Sequence, residues 1–354
     1  MMEQEDALYM RRALELAARG LGLTHSNPLV GAVLVYNGRI IGEGFHAVFG
    51  GPHAEVACLQ SVPDKDRALI PESVLYVTLE PCAHFGKTPP CADRIVAEGI
   101  RRVVVCNDDP FPRVDGRGYA RLRDAGVALH TGLLADEGRR LNCRFFCAQE
   151  TQRPYIILKW AESADGYIAP ENRARTQLSN SISQRLVHQW RTAEQAIMVG
   201  TNTALHDNPR LNARLAEGPQ PIRIFVDNSG RVPHTHHLFD GALETWVVSA
   251  TEAKFPETVR SLVLKQDHDW WPRLFGELLR AGTISMIVEG GSALLGGLIG
   301  QGLWDEARVI RTPVVLGSGV RAPQLSQATL TDVQPLGQDR LECWMHEDVA
   351  SKQS

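Results

Sequence analysis

His53-Ala54-Glu55, then Pro81-Cys82, then Cys91, bring one imidazole, one carboxylate and two thiols into one short region. Zinc takes imidazole nitrogen and thiolate sulfur, and a catalytic zinc keeps three protein ligands with a fourth position open for water. His53, Cys82 and Cys91 fill that count for one ion per chain, with Glu55 close by in sequence. Helix positions i and i+2 point about 200° apart, so His53 and Glu55 suit separate roles. Both are expected in the first turn of a helix over 53–61, where the dipole favours a carboxylate. Cys91 opens a further expected helix and Cys82 follows a strand end. A thiolate forms more easily near a helix N-terminus or a metal. Two alternatives stand beside this reading. The cysteines could be buried core residues next to a helix-capping His53. His84, inside the insert 83–90, is a second candidate ligand or a substrate contact. Cys58, Cys106, Cys143 and Cys147 fall in apolar element patterns and read as core.

The second half offers weaker signals. Gly42 to Ala47 and Gly317 to Ala322 match G-x-G-x-x-A. The first lies at the end of a hairpin strand and the second runs into Pro323, so neither has the strand–turn–helix context of a dinucleotide site. Met286 to Gly297 is a better candidate: a strand ends at Glu289, glycines permit close approach, and a helix follows whose free N–H groups can hold a phosphate. A tight strand-to-helix turn is the bland reading. His234, His236 and His237 read as an exposed loop.

The elements expected to position these residues alternate. Helix signals at 5–19, 53–61, 91–98, 118–124 and 134–148 interleave with strands at 30–36, 40–45, 74–79, 103–106 and 127–130. Asn37-Gly38 marks a hairpin. A second series starts after Gln152-Arg153-Pro154: strands at 155–160, 196–200, 222–227, 245–249, 285–289 and 306–310, and helices at 182–191, 270–281 and 293–300. Both halves read as α/β, with helices on both faces of a mixed sheet in the first.

The 354 residues also suggest two domains, and the boundary is placed at 149/150. Positive and negative charges number 17 and 19 through residue 150 and 20 and 22 after it. Neither half has the basic excess of a nucleic-acid binder. The N-terminus lacks the pattern of a signal peptide, and the uncharged stretch 290–304 is too short to span a membrane. Seven cysteines, an odd number, fit reduced thiols in the cytoplasm.

Longer motifs sharpen the reading. A His-x-Glu followed by Pro-Cys-x-x-Cys marks zinc nucleobase deaminases, whose Glu shuttles protons; here eight residues separate the cysteines. Asn27-Pro28-x-Val30-Gly31-Ala32-Val33, Pro52-His53-Ala54-Glu55, Thr78-Leu79-Glu80-Pro81-Cys82-x-His84-x-Gly86-Lys87-Thr88-Pro89-Pro90-Cys91, Asp109-Pro110 and Gly116-Arg117-Gly118 closely resemble the deaminase of riboflavin biosynthesis. Lys159-x-Ala161-x-Ser163-x-Asp165-Gly166, Arg191, Gly200-Thr201-x-Thr203, Asp207-Asn208-Pro209-x-Leu211-x-x-Arg214 and Val288-Glu289-Gly290-Gly291 look like the reductase of the same bifunctional family.

The resemblance implies a cytidine-deaminase-like α/β/α domain over 1–149 and a dihydrofolate-reductase-like α/β domain over 150–354. It implies hydrolytic deamination of a diamino-pyrimidinone ribosyl phosphate with zinc, Glu55 passing a water proton to ammonia, and Asn27 and Lys87 lining the pocket. NADPH then reduces the ribosyl group to ribityl. Ala161, Thr203, Asp207, Asn228, Gly291, Ser292, Ala293, Leu294, Leu295, Gly296 and Gly297 would contact NADPH. Arg191, Leu211, Arg214 and Glu289 would contact substrate, two arginines suiting a phosphate, and Lys159 is a candidate polarising group. A homo-oligomer, dimer or tetramer, with no nucleic-acid or membrane partner, is implied. One departure stands out: the family's Ser-x-Trp before an Ile-Ser/Thr pair is here Arg175-Thr176-Gln177-Leu178-Ser179. A nucleic-acid base deaminase with a repurposed second domain is the alternative reading. A second domain reduced to a binding module is another.

Overall fold

The computed structural model describes residues 2–83, 89–111 and 116–351. It divides into two compact units, Met1–Thr151 and Gln152–Ser354. No helix among the described residues is long and apolar enough to cross a membrane.

The first unit runs α1 (Met2–Ala18), β1 (Gly31–Tyr36), β2 (Arg39–Phe45), α2 (Ala54–Ser61), a 3-10 segment (Asp64–Glu72), β3 (Val74–Leu79), α3 (Cys91–Ala97), β4 (Arg102–Asn107), α4 (Arg117–Asp124), β5 (Ala128–Thr131), α5 (Ala135–Leu141) and α6 (Cys143–Thr151). The sheet order is β2-β1-β3-β4-β5. β1 is antiparallel to both neighbours, whereas β3, β4 and β5 are parallel. The hairpin forms at Asn37-Gly38, both with positive φ (45° and 76°), as a two-residue primed turn requires.

Strand residues alternate faces. Leu34, Val77 and Val105 share a core with Cys58 of α2, Ile95 of α3 and Leu122 of α4. Their neighbours Val33, Tyr76 and Val104 share another with Met10 and Ala13 of α1. Three layers, α/β/α, result.

The helix expected over 134–148 is broken at Asn142. This buried side chain takes the Leu29 N–H at 2.7 Å and donates to the Leu29 carbonyl at 2.9 Å. It thus fastens the loop that carries Asn27 and Pro28. Cys58 and Cys106 are buried, as expected, whereas Cys143 and Cys147 are only half-buried.

The second unit runs β6 (Tyr155–Glu162), β7 (Tyr167–Ala169), α7 (Ser181–Ala193), β8 (Ala196–Val199), α8 (Thr201–Asp207), β9 (Ile222–Val226), β10 (Thr245–Ser249), β11 (Arg260–Val263), α9 (Trp270–Arg280), β12 (Ser285–Val288), α10 (Ser292–Gly300), β13 (Glu306–Arg311), β14 (Val320–Arg321), β15 (Ala328–Leu336), β16 (Asp339–His346) and α11 (Glu347–Ala350). Nine strands form one sheet in the order β11-β10-β9-β8-β12-β6-β13-β16-β15. It is parallel from β11 to β13 and antiparallel beyond. Its core packs Ile156, Met198, Ile224, Trp246 and Met286 against Leu274 of α9 and Leu295 of α10. Asn180 caps α7 by accepting from the Ile182 and Ser183 amides.

Candidate functional site

In the first unit, β3 delivers Cys82, α3 begins at Cys91, and His53 is the residue just before α2. His53 is extended (φ −68°, ψ 159°) rather than helical, so its ring leaves the backbone ahead of the helix while Glu55 sits inside the first turn. His53 Nδ1 lies 3.3 Å from Cys91 Sγ and 3.6 Å from Cys82 Sγ, and the three ligand atoms fall within 4.8 Å of one another. Cys82 also accepts the Cys91 amide at 3.4 Å, and its carbonyl takes the Ala92 amide at 3.1 Å. The start of α3 is thereby clamped onto the Cys82 loop.

The electrostatics suit a thiolate-binding cation. The Cys91 thiol, then His53 and the Cys91 amide, hold the Cys82 thiol well below its ordinary range. The same contact with Cys82, helped by burial, pushes Cys91 up. His53 is raised, chiefly by its hydrogen bond with Cys82. Glu55 is only 4% exposed, and burial, reinforced by Cys82, pushes its carboxyl up to about 7. One imidazole and two thiols with a proton-exchanging carboxyl beside them fit zinc with an open position.

Two supporting residues have roles that the sequence did not indicate, Glu80 inside a quoted motif and His46 outside any of the family motifs. Glu80, just before Pro81-Cys82, is buried and accepts the amides of Gly116 and Gly118 at 3.1 and 2.9 Å. It therefore caps α4 from the metal loop. Gly118 allows this approach, because a Cβ there would stand 2.0 Å from the Pro81 carbonyl oxygen. His46 is buried, with its ring 5.9 Å from that of His53. Its Nδ1 donates to the Pro52 carbonyl at 3.0 Å, so its Nε2 accepts from Asn27 Nδ2 at 3.0 Å. Asn27 is thus oriented by a histidine that belongs to no motif. His84 and Lys87 lie outside the described residues.

In the second unit a cavity of about 910 Å³ opens along the C-terminal ends of the parallel strands. Ala161, Thr203, Asp207, residues 291–295 and Gly297 line it. Gly296 and Asn228 do not, although the Asn228 amide oxygen is buried without a hydrogen-bond partner. Gly291 has φ +76°, a conformation that suits glycine and turns the chain from β12 into α10. Gln177, in the segment that departs from the family pattern, also lines the cavity. The Gly317–Ala322 match contains only β14, with no helix following.

Glu289, on the cavity wall, takes two hydrogen bonds from Arg191, at 2.8 and 2.7 Å, and lies 3.7 Å from Lys159 Nζ. Arg191 also donates to the Asn212 carbonyl at 2.9 Å. Burial opposes the Glu289 charge, but Arg191 and Lys159 outweigh it and hold the carboxyl near 2. Burial lowers Lys159, with Glu289 opposing. Leu211 is buried and Arg214 bonds the Asn212 side chain at 3.1 Å; neither lines the cavity. His188 went unnoticed in the sequence. It stands three residues before Arg191, is buried with Nδ1 unpartnered, and is held near 4 by burial and by Arg191 and Arg214.

A three-layer unit with a zinc-type ligand set, followed by an α/β unit with a cavity at its parallel strand ends, defines a deaminase joined to a reductase. Residues 3–107 match the cytidine and deoxycytidylate deaminase zinc-binding region, and residues 154–342 match the RibD C-terminal domain. The riboflavin biosynthesis protein RibD of Escherichia coli is 39% identical over 334 residues, 90% of each chain. That of Bacillus amyloliquefaciens is 38% identical over 326 residues, 90% of this chain and 86% of the relative. The solved deaminase/reductase of Thermotoga maritima superposes with a TM-score of 0.90 at 32% identity, covering 98% of this chain and all of that one. The chain belongs to the RibD family of riboflavin biosynthesis proteins. It is a bifunctional deaminase and reductase with zinc and NADPH as cofactors. The nucleic-acid deaminase alternative is not favoured, since the match continues through the reductase half.

Proposed function

We propose that residues 1–149 deaminate 2,5-diamino-6-ribosylamino-4(3H)-pyrimidinone 5′-phosphate and that residues 150–354 reduce the ribosyl group of the product to ribityl. The convergence of His53 Nδ1, Cys82 Sγ and Cys91 Sγ beside buried Glu55 carries the first half of this reading. The Thermotoga maritima relative is described as a diaminohydroxyphosphoribosylaminopyrimidine deaminase and 5-amino-6-(5-phosphoribosylamino)uracil reductase, which supports the substrate class.

His53, Cys82 and Cys91 would hold zinc, which when bound would make a water acidic enough to attack at neutral pH. Glu55 would accept a proton from the attacking water and return one to the departing ammonia. A carboxyl held near neutrality serves both directions. Asn27, fixed by His46, faces the substrate ring.

NADPH supplies hydride in the second site. The free N–H groups at the start of α10 would hold its phosphates, with Ala161, Thr203, Asp207 and Asn228 as further contacts. Glu289 orients the substrate and Lys159 donates to the sugar oxygen that gains charge on reduction. Arg191 uses three of a guanidinium's five N–H donors on Glu289 and Asn212. The remaining two, with Arg214 and the Leu211 backbone, meet the substrate phosphate.

Finer features follow the same reading. None of the seven cysteines is in a disulfide, which supports a cytoplasmic enzyme. The exposed edge strand β15 carries Leu330 and Val333 at 44% and 47% exposure, which supports a homo-oligomer, dimer or tetramer. Metal analysis combined with a coupled assay tests the whole reading: one zinc per chain, ammonia release, then NADPH oxidation that depends on the deaminated product. In Arg191→Ala only the second step should fall, and equal loss of both would defeat the two-site assignment.

A further inference from the structure

Strands β6, β12, β8 and β9 are successive parallel neighbours, so the loops at their C-terminal ends stand in a row. Three strand spacings separate the first from the last, roughly 14 Å. At the β6 end stand Lys159 and Ala161. In the middle, Gly290 and Gly291 lead into α10, nine residues long. At the far end, β9 runs into the turn 227–232.

That turn is fixed from below. Asp227 is fully buried and accepts the Arg231 amide at 3.0 Å and the Val232 amide at 2.9 Å. Both carboxylate oxygens are consumed by the backbone. The Arg231 side chain is exposed, lines the cavity, and has no ion-pair or hydrogen-bond partner among the described residues. Two further groups here lack partners: the Asn228 amide oxygen on the same turn, and the indole N–H of Trp270 on the cavity wall.

A dinucleotide laid along this row has limited choices. Its reacting end must meet the substrate beside Lys159 and Glu289, and its pyrophosphate suits the start of α10. The adenosine end then falls at the β9 turn. We infer that Arg231 receives the 2′-phosphate of the NADPH adenosine and thereby sets preference for NADPH over NADH. A planar guanidinium with no acidic competitor suits a phosphate dianion. This inference rests on the assignment of the cavity to NADPH. Arg173, on the segment after β7, also lines the cavity and is the rival cation.

The test is fluorescence titration of the full chain with NADPH and with NADH. Arg231→Ala keeps the backbone amide that Asp227 holds, so the turn survives. It should weaken NADPH by about 10- to 100-fold, the worth of hydrogen bonds to a charged group, while NADH is unchanged. Arg231→Lys should recover part of the loss, and Arg173→Ala should leave the NADPH/NADH ratio alone. Equal weakening of both dinucleotides, no weakening of either, or a selective loss in Arg173→Ala instead would overturn the assignment. Ala293→Trp, at an exposed position on the cavity wall, tests the underlying reading separately. It should weaken both dinucleotides, and if it weakens neither, the cavity itself is not the cofactor site.

Discussion

Arg191 and Glu289 are joined by two parallel hydrogen bonds of 2.8 and 2.7 Å, although 98 residues separate them in the chain. The contact crosses from α7 to the end of β12, and Lys159 of β6 approaches the same carboxylate. Three elements of the reductase unit therefore meet at one buried charge, on the wall of the cavity.

The pairing should show as a pH dependence. The Glu289 carboxyl is depressed from an ordinary 4.5 to about 2. A depressed acid contributes stability that is complete above its unfolded value and is lost as pH falls through its folded value. Wild type should therefore exceed Glu289→Gln in stability above about pH 4.5, with the gap closing toward pH 2. Denaturant unfolding of both proteins across that window measures it. A gap that does not change with pH would show that the ion pair is not its source.

Glu55→Ala should reduce ammonia release by about 10²- to 10⁴-fold, the range ascribed to a positioned proton-transfer group. Zinc content should stay near one per chain, because the ligand atoms are those of His53, Cys82 and Cys91. Atomic absorption on the purified variant decides whether Glu55 is a proton carrier or a fourth ligand.

Stripping zinc with a chelator should abolish ammonia release and leave dinucleotide binding intact. The ligand set lies wholly in the first unit and the cavity wholly in the second. Re-adding zinc should restore deamination. Parallel loss of NADPH binding would argue against independent sites.

Asn142→Ala should destabilise the first unit by about 1–3 kcal/mol, because it leaves buried Leu29 backbone groups without partners. Chemical denaturation measures this. Deamination should also slow, since Leu29 follows the Asn27-Pro28 loop directly.

Much of this was legible in the residues. Zinc needs particular donor types, and they occur in one short stretch, so His53, Cys82 and Cys91 declared themselves. Strands such as 74–79 and 245–249 came out to the residue, because a strand covered on both faces is a near-continuous apolar run. The missed elements lack that pattern. β15 is exposed along most of its length, so burial imposes no alternation on it. α8 has only seven residues, too few for a helical period to emerge. The break at Asn142 was hidden because its cause, the Leu29 backbone, lies 113 residues away. His46 and His188 act through neighbours that only folding supplies.

Each unit encloses its own apolar core, with Cys58, Ile95 and Leu122 in one and Trp246, Leu274 and Leu295 in the other. A single translation product therefore delivers the two activities in fixed one-to-one stoichiometry. The arrangement has an asymmetric failure mode. A lesion confined to the later half would leave the earlier step running, and the unreduced aminopyrimidine would accumulate rather than the starting compound.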